Sequence, residues 1–176
     1  MTITARRFQP ADAEAVSRLI CRTLQITNAA DYSAQELDEV AASLSPEKLL
    51  WRATWMHFYV FCHGETIVGC GAVGPYWDQI DECSFFNIFV LPEYQGRGVG
   101  SKIIETLEKD ELFLRSKRAE IPASLTAVHF YRKFGYEYKN GITTPDEEKL
   151  YRLEKYRNQP QTEIYRSILM LRTNNE

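Results

Sequence analysis

Phe85-Phe86-Asn87-Ile88-Phe89-Val90, followed after Leu91-Pro92-Glu93-Tyr94 by Gln95-Gly96-Arg97-Gly98-Val99-Gly100 and the helical stretch Ser101 to Glu111, is the part of the chain that decides the fold. A strand that turns through glycines into a helix start leaves backbone N–H groups without intrahelical partners. Together with the helix dipole they form an anion site. Spacing separates the glycine motifs that compete for this stretch. A dinucleotide fingerprint needs G-x-G-x-x-G with an acid about 20 residues on, whereas Gly96, Gly98 and Gly100 alternate. A P-loop needs Lys and then Ser or Thr after its last glycine, and Ser101-Lys102 stand in the reverse order. What fits is Q-x-x-G-x-G. In that reading Gln95 and the amides of Gly96 to Ser101 wrap a pyrophosphate, while Gly98 and Gly100 keep Cβ atoms out of its way. A glycine-rich turn with no ligand is the alternative.

Outward from this stretch, Cys83 to Val90 is almost wholly apolar, as a central strand buried on both faces requires. A helix is expected from about Gly98 to Leu114, then a short strand from Arg118 to Ile121 ended by Pro122, then a helix from Ala123 to Phe134 stopped by Gly135. Tyr136 to Lys139 and Lys149 to Tyr156 read as a last hairpin. Upstream, Ile3 to Phe8 is a strand candidate, and Asp12 caps a helix with Val16, Leu19, Ile20 and Leu24 on one stripe. Tyr32 to Leu44 holds a second helix, with Ser33 and Glu36 in capping-box spacing. Trp55 to Cys62 and Glu65 to Val73 form an antiparallel pair turned at His63-Gly64. The pattern is that of a mixed α/β chain without internal repeats.

With 176 residues, 44% of them hydrophobic and 26% charged, the chain suits one domain over residues 1–158, with a tail at 159–176. In the tail, Ile164, Ile168, Leu169 and Leu171 have spacing for a terminal helix, and a homodimer through it is a possible partner contact. A net charge of −3 gives no general field for nucleic acid or an anionic membrane. No apolar leader opens the chain and no run of about 18 apolar residues occurs, so a cytoplasmic protein is expected. Cys21, Cys62, Cys70 and Cys83 lack C-x-x-C spacing, and His57, His63 and His129 are scattered, so no metal is expected.

Leu91-Pro92-Glu93-Tyr94-Gln95-Gly96-Arg97-Gly98-Val99-Gly100 resembles the acetyl-coenzyme A motif of the GCN5-related N-acetyltransferase (GNAT) family. Ala127-Val128-His129-Phe130-Tyr131-Arg132-Lys133-Phe134-Gly135-Tyr136 resembles that family's second signature. The two motifs stand in the family's order and cover residues 85 to 138. The resemblance implies the GNAT acyl-CoA N-acyltransferase fold: a central mixed, mostly antiparallel sheet flanked by helices and splayed at the acetyl-CoA site. It also implies transfer of an acetyl group from acetyl-CoA to a primary amine by direct attack, on a small-molecule or peptide acceptor. A non-catalytic acyl-CoA sensor or interaction module is the alternative function.

In the resembling family the splayed strand offers backbone to pantetheine, which implies that role for Phe89 and Val90. The pyrophosphate would lie over Gln95, Gly96, Arg97, Gly98, Val99, Gly100 and Ser101. Tyr131 matches the tyrosine that protonates the departing sulfur, a plausible role for a phenol near pKa 10. As one of three aromatics at helical spacing with Phe130 and Phe134, it also reads as core. Ser124 stands where the family often has a coenzyme-binding Asn, and is equally a helix N-cap. The catalytic glutamate of the histone-modifying branch aligns with Ser84, which cannot act as a base. Glu82 shares its strand face and is the candidate base through a water, or simply a surface charge. Asn87 and Glu120 are further candidates to orient water or substrate. Pro75 to Glu82 sets aromatic rings beside three acids, a set that suits a cationic amine, or else an exposed loop with Trp77 packed on the sheet.

Overall fold

Ser33, Ser45 and Asp110 each cap a helix with their own side chains, and these three caps set the helical layout before any packing is considered. Ser33 accepts the Glu36 N–H at 3.2 Å while Glu36 reaches back to the Ser33 N–H at 2.8 Å, the reciprocal capping box that starts Ala34–Ala42. Ser45 accepts the Lys48 N–H ahead of Pro46–Arg52, a helix with proline at its first position. Asp110 accepts the Leu112 N–H at 2.8 Å and starts Glu111–Arg115.

The computed structural model describes residues 1–157; the tail, and with it the terminal-helix expectation, lies outside the described residues. The strands are β1 (Thr4–Arg7), β2 (His57–His63), β3 (Thr66–Tyr76), β4 (Gln79–Val90), β5 (Arg118–Ala123), β6 (Glu137–Tyr138) and β7 (Tyr151–Tyr156). They form one sheet in the order β1-β2-β3-β4-β5-β7-β6, antiparallel throughout except for the parallel pair β4·β5. Helices α1 (Ala13–Thr27), α2 (Ala34–Ala42) and α3 (Pro46–Arg52) pack on one face. Helices α4 (Val99–Leu107), α5 (Glu111–Arg115) and α6 (Val128–Arg132) pack on the other.

Because strand side chains alternate, β4 feeds both cores: Phe85 joins the cluster under α4 and α5, and Phe86 packs on the cluster under α1. The α1 stripe of Val16, Leu19, Ile20 and Leu24 is buried as its spacing requires, at about 1.5–3 kcal/mol for each large apolar side chain. On the opposite face α4 lies directly on β3. A Cβ at Gly71 would stand 2.6 Å from the Ile103 side chain, so only glycine allows this approach.

Several sequence expectations change. The helix expected over Gly98 to Leu114 divides into α4 and α5, because Asp110 turns from the helical path to accept hydrogen bonds from Tyr59 Oη at 2.6 Å and share one with His57 at 2.9 Å. The helix expected over Ala123 to Phe134 is a 3-10 turn at Leu125–Ala127 followed by the short α6. β5 runs past Pro122, which has no N–H for a ladder, because by that point the β4 side of β5 is open. Helix α3 has no counterpart in the sequence reading.

That opening is the main feature of the sheet. β4 and β5 pair only at Glu82↔Arg118, Cys83↔Ala119 and Ser84↔Glu120, and then part. The last pair is fastened by Ser84 Oγ donating to the Glu120 carbonyl at 3.0 Å. Just beyond, β4 carries a bulge: Ala72 and Cys70 face Phe86 and Phe89, so three steps of β4 match two of β3, with Asn87 at φ 53°. A bulge bends and twists its strand, and Asn tolerates the left-handed region better than a branched residue.

A buried ion cluster holds the closed end of the split. Arg118, 6% exposed, contacts Glu82 at 2.6 Å, Glu120 at 2.9 Å and Glu154 at 3.0 Å, while Lys139 contacts Glu120 at 2.7 Å. Burial opposes the guanidinium charge, yet hydrogen bonds with Glu82 and Glu120 hold its pKa above the ordinary arginine value. Removing Arg118 would leave buried carboxylates without their counter-charge. Arg118→Met is expected to lower the unfolding free energy by about 3–5 kcal/mol, read from urea denaturation, whereas Trp77→Ser at a position 83% exposed is expected to change it by less than about 0.5 kcal/mol.

Candidate functional site

Where β4 and β5 part, a cleft of about 640 Å³ opens through the sheet. Its walls include Asn87, Ile88 and Phe89 from β4 and Ser124, Ala127 and Tyr131 from the chain after β5. On the α1–α2 side the cleft continues past Tyr32 and Glu36 to the loop Glu147 to Leu150.

The expected backbone contacts of Phe89 and Val90 resolve by ladder alternation. The Leu91 N–H donates to the Val68 carbonyl at 2.9 Å, and Phe89 pairs with Cys70, so these residues bond back to β3 and Val90 faces the open side. The Val90 carbonyl already accepts from Gln95 Nε2 at 3.1 Å and Thr23 Oγ1 at 3.3 Å. Its N–H is therefore the group at this position that can meet a ligand. Gln95 also donates to Thr27 Oγ1 at 2.9 Å, so its side chain braces the turn against α1 instead of reaching out over it.

Beyond Val90 the glycine turn delivers what its sequence requires. Gly98 is the N-cap of α4 at φ 84°, and Gly96 lies at φ 70° with open space where a Cβ would stand. The first intrahelical closure is Lys102 N–H to the Gly98 carbonyl. The N–H groups from Gly96 to Ser101 consequently have no backbone acceptor among the described residues. Arg97 is exposed, with its guanidinium 5.7 Å from the Tyr94 ring centroid. Val99 is buried in the α4 core. Gly100 serves a purpose different from the expected one: a Cβ there would stand 3.0 Å from the Phe130 ring, so its smallness lets α6 pack against α4.

Tyr131 answers both readings of its sequence context. It is 6% exposed and packs edge-on to Phe130 at 5.2 Å, yet it lines the cleft. Its hydroxyl has no hydrogen-bond partner among the described residues, and burial raises its pKa above the ordinary phenol value. Ser124 occupies the N-cap position of the Leu125–Ala127 turn, but its side chain makes no capping bond and lies in the cleft wall.

Glu82 is a correction. The structure takes it out of the cleft lining and binds its carboxylate to Arg118 Nε at 2.9 Å and Nη2 at 2.6 Å, so it is engaged as a structural anion and cannot serve as a free base. Glu120 lies in the same cluster, bonded to Arg118 and Lys139. The aromatic and acidic segment from Pro75 to Glu82 binds the protein's own cations: Tyr76 lies 4.6 Å from the Arg118 guanidinium and 5.2 Å from Lys139, and Asp81 pairs with Lys117 at 2.7 Å. Trp77 packs on nothing, standing 83% exposed in the β3–β4 turn. Asn87 does line the cleft, and its Nδ2 is buried without a partner among the described residues.

Three further cleft residues escaped the sequence reading. Tyr32 Oη donates to the Lys149 carbonyl at 3.2 Å, and Lys149 pairs with Glu36 at 2.5 Å, which ties α2 to the β6–β7 loop across the cleft. Hydrogen bonds to Lys149 and Ser33 hold the Glu36 pKa down at about 2. Arg52, at the end of α3, also lines the cleft. The Ser45-Pro46 start of α3 was a readable helix signal, whereas the Glu36–Lys149 contact spans more than a hundred residues and has no local signature.

Residues 54–138, which hold both motifs and the β4 side of the split, match the acetyltransferase (GNAT) domain model. These residues form an acetyltransferase (GNAT) domain. It is 26% identical over 138 residues to the uncharacterized N-acetyltransferase YafP of Escherichia coli (strain K12), covering 77% of this chain and 81% of that relative. In fold, this chain is similar to the PaiA N-acetyltransferase of Thermoplasma acidophilum, solved in complex with coenzyme A. The TM-score is 0.77 at 17% identity, over 89% of this chain and all (100%) of the other. A GCN5-related N-acetyltransferase from Rhodopseudomonas palustris gives a TM-score of 0.72 at 23% identity, over 89% and 97% of the two chains. Among the described residues, no helix is long and apolar enough to cross a membrane, and no group of three or more His, Cys, Asp and Glu could hold a metal ion.

Gly98 and Gly100 thus carry separable costs. Gly98→Ala is expected to lose about 1 kcal/mol of stability from the positive φ alone. Gly100→Val is expected to lose more, about 1–3 kcal/mol, by forcing the Phe130 ring aside. Chemical denaturation with tyrosine and tryptophan fluorescence measures both.

Proposed function

We propose that this protein is an acetyl-CoA-dependent N-acetyltransferase that transfers the acetyl group directly to a primary amine. The observation that carries this reading is the row of N–H groups without backbone acceptors at the α4 start, together with a cleft walled by the buried phenol of Tyr131. The amides of Gly96 to Ser101 suit a pyrophosphate, for which a helix N-terminus supplies both donors and a positive potential. The Val90 N–H suits a pantetheine amide. That the Thermoplasma neighbour was solved with coenzyme A supports the same ligand here.

In this mechanism the amine nitrogen attacks the thioester carbonyl carbon, the C–N bond forms as the C–S bond breaks, and the amine sheds its extra proton to water. The departing sulfur takes a proton from Tyr131, and the phenolate recovers one from the water that received the proton of the amine. A phenol whose pKa is raised by burial is a weaker acid than in water, but a thiolate formed in the same apolar cleft is raised too. Donor and acceptor therefore stay matched. No acetyl-enzyme is invoked: Cys70 and Cys83 are buried, and burial pushes the Cys70 thiol up to about 12 and the Cys83 thiol up to about 11.

The engagement of Glu82 by Arg118 favours a second reading, a non-catalytic acyl-CoA sensor, since it removes the candidate base. Thiol release from acetyl-CoA on a panel of amines separates the two: acceptor-dependent release supports the enzyme, and tight binding without release supports the sensor. For the enzyme, Tyr131→Phe is expected to lower kcat by about 10²-fold or more with acetyl-CoA affinity nearly unchanged. Equal turnover would return Tyr131 to a packing role. Because burial keeps the phenol protonated beyond its ordinary range, kcat is expected to rise as the amine deprotonates and to show no alkaline fall below about pH 10.

A further inference from the structure

Among the described residues, Arg52 is a cleft cation with no counter-ion. It stands at the C-terminal end of α3, and its side chain lines the cleft together with Phe86, Ser43, Glu39 and Tyr131. Among the described residues its guanidinium has no carboxylate or hydrogen-bond partner, and burial alone lowers its pKa from the ordinary arginine value. Arg118, by contrast, holds three carboxylates, and Arg152 holds Asp146 and Glu148, both at 2.6 Å.

The acids around the cleft do not fill this gap. Glu36 is taken by Lys149, Glu148 by Arg152, and Glu39 accepts from Gln35 Nε2 at 3.0 Å. A position at a helix C-terminus favours a cation by about 0.3–1 kcal/mol, but that effect needs no burial, and α3 has only seven residues. A guanidinium partly stripped of water costs free energy unless an anion completes it, and its planar fork matches a carboxylate in two parallel hydrogen bonds.

We propose that Arg52 receives the carboxylate of the acceptor, so that the amine acetylated here belongs to a small amino-carboxylic acid and not to a simple alkylamine or polyamine. This rests on the acetyltransferase reading above. A carboxylate fits better than a phosphate, because Glu39 and Glu147 also stand along the cleft and a dianion would meet their repulsion. Among the described residues Arg52 has no hydrogen bond or ion pair with the glycine turn or Tyr131, so it is assigned to acceptor choice and not to coenzyme binding.

The test uses thiol release from acetyl-CoA by the full-length protein, with each common free L-amino acid set beside its own α-carboxamide, and with putrescine and phosphoethanolamine as further acceptors. Binding of acetyl-CoA is measured separately by calorimetry. The expected result is a kcat/KM preference of about tenfold or more for one or more free acids over their amides. Arg52→Met, which keeps an unbranched apolar stem and removes the guanidinium, is expected to reduce that preference to about twofold or less while acetyl-CoA affinity is unchanged. Arg52→Lys is expected to retain part of it. If Arg52→Met fails to fold by circular dichroism, the wild-type comparison of acid with amide decides alone. Turnover of amides, putrescine or phosphoethanolamine as fast as the acids overturns this inference and leaves the acetyltransferase reading standing. Absence of acetyl-CoA binding overturns both.

Discussion

The parallel contact between β4 and β5 lasts three residue pairs, and everything that makes this chain a candidate enzyme depends on its ending there. A longer ladder would close the cleft, and a missing one would cut the sheet in two. The limit is set from both sides. The Ser84–Glu120 hydrogen bond and the Arg118 cluster fasten the closed end, while the Asn87 bulge bends β4 away at the open end. Unpaired backbone in a sheet interior is costly, since buried N–H and C=O groups require partners. A strand that leaves such groups facing a cleft is therefore a strand prepared for a ligand with amides of its own.

The glycine turn and the cleft make different chemical demands. At the glycine turn, the demand is for backbone donors and space, which positive-φ glycines at Gly96 and Gly98 supply. At the α2–α3 end it is for side chains, which come from three separate segments: Tyr32 and Glu36, Arg52, and the Glu147 to Leu150 loop. Tyr131 lies between them, with its ring in the core and its hydroxyl at the cleft.

The same division explains what the sequence could tell. The glycine turn, the capping box at Ser33 and Glu36, the α1 stripe and the two-sided burial of Phe85 and Phe86 are local patterns, and each is where its spacing places it. The order of the strands follows from those elements, and the split follows from the family resemblance that the glycine turn carries. What was misread depends on contacts distant in sequence. Glu82 looks like a free strand-end acid until Arg118, 36 residues away, is brought to it. Asp110 looks like a helix residue until His57 and Tyr59 claim its carboxylate. Gly100 resembles its neighbours in the motif, yet its smallness answers to Phe130. Arg52 has no local signature of a cleft residue, although Ser45-Pro46 marks the start of its helix α3.

Backbone amide hydrogen exchange of the full-length chain, with and without acetyl-CoA, tests the central claim most directly. Slowed exchange confined to Val90, Gly96 to Ser101 and the cleft wall is the result this account requires. Unchanged exchange at those amides under saturating acetyl-CoA, or protection centred on another surface such as Lys102 and Thr106 on α4 with Lys109 beyond its end, would contradict it.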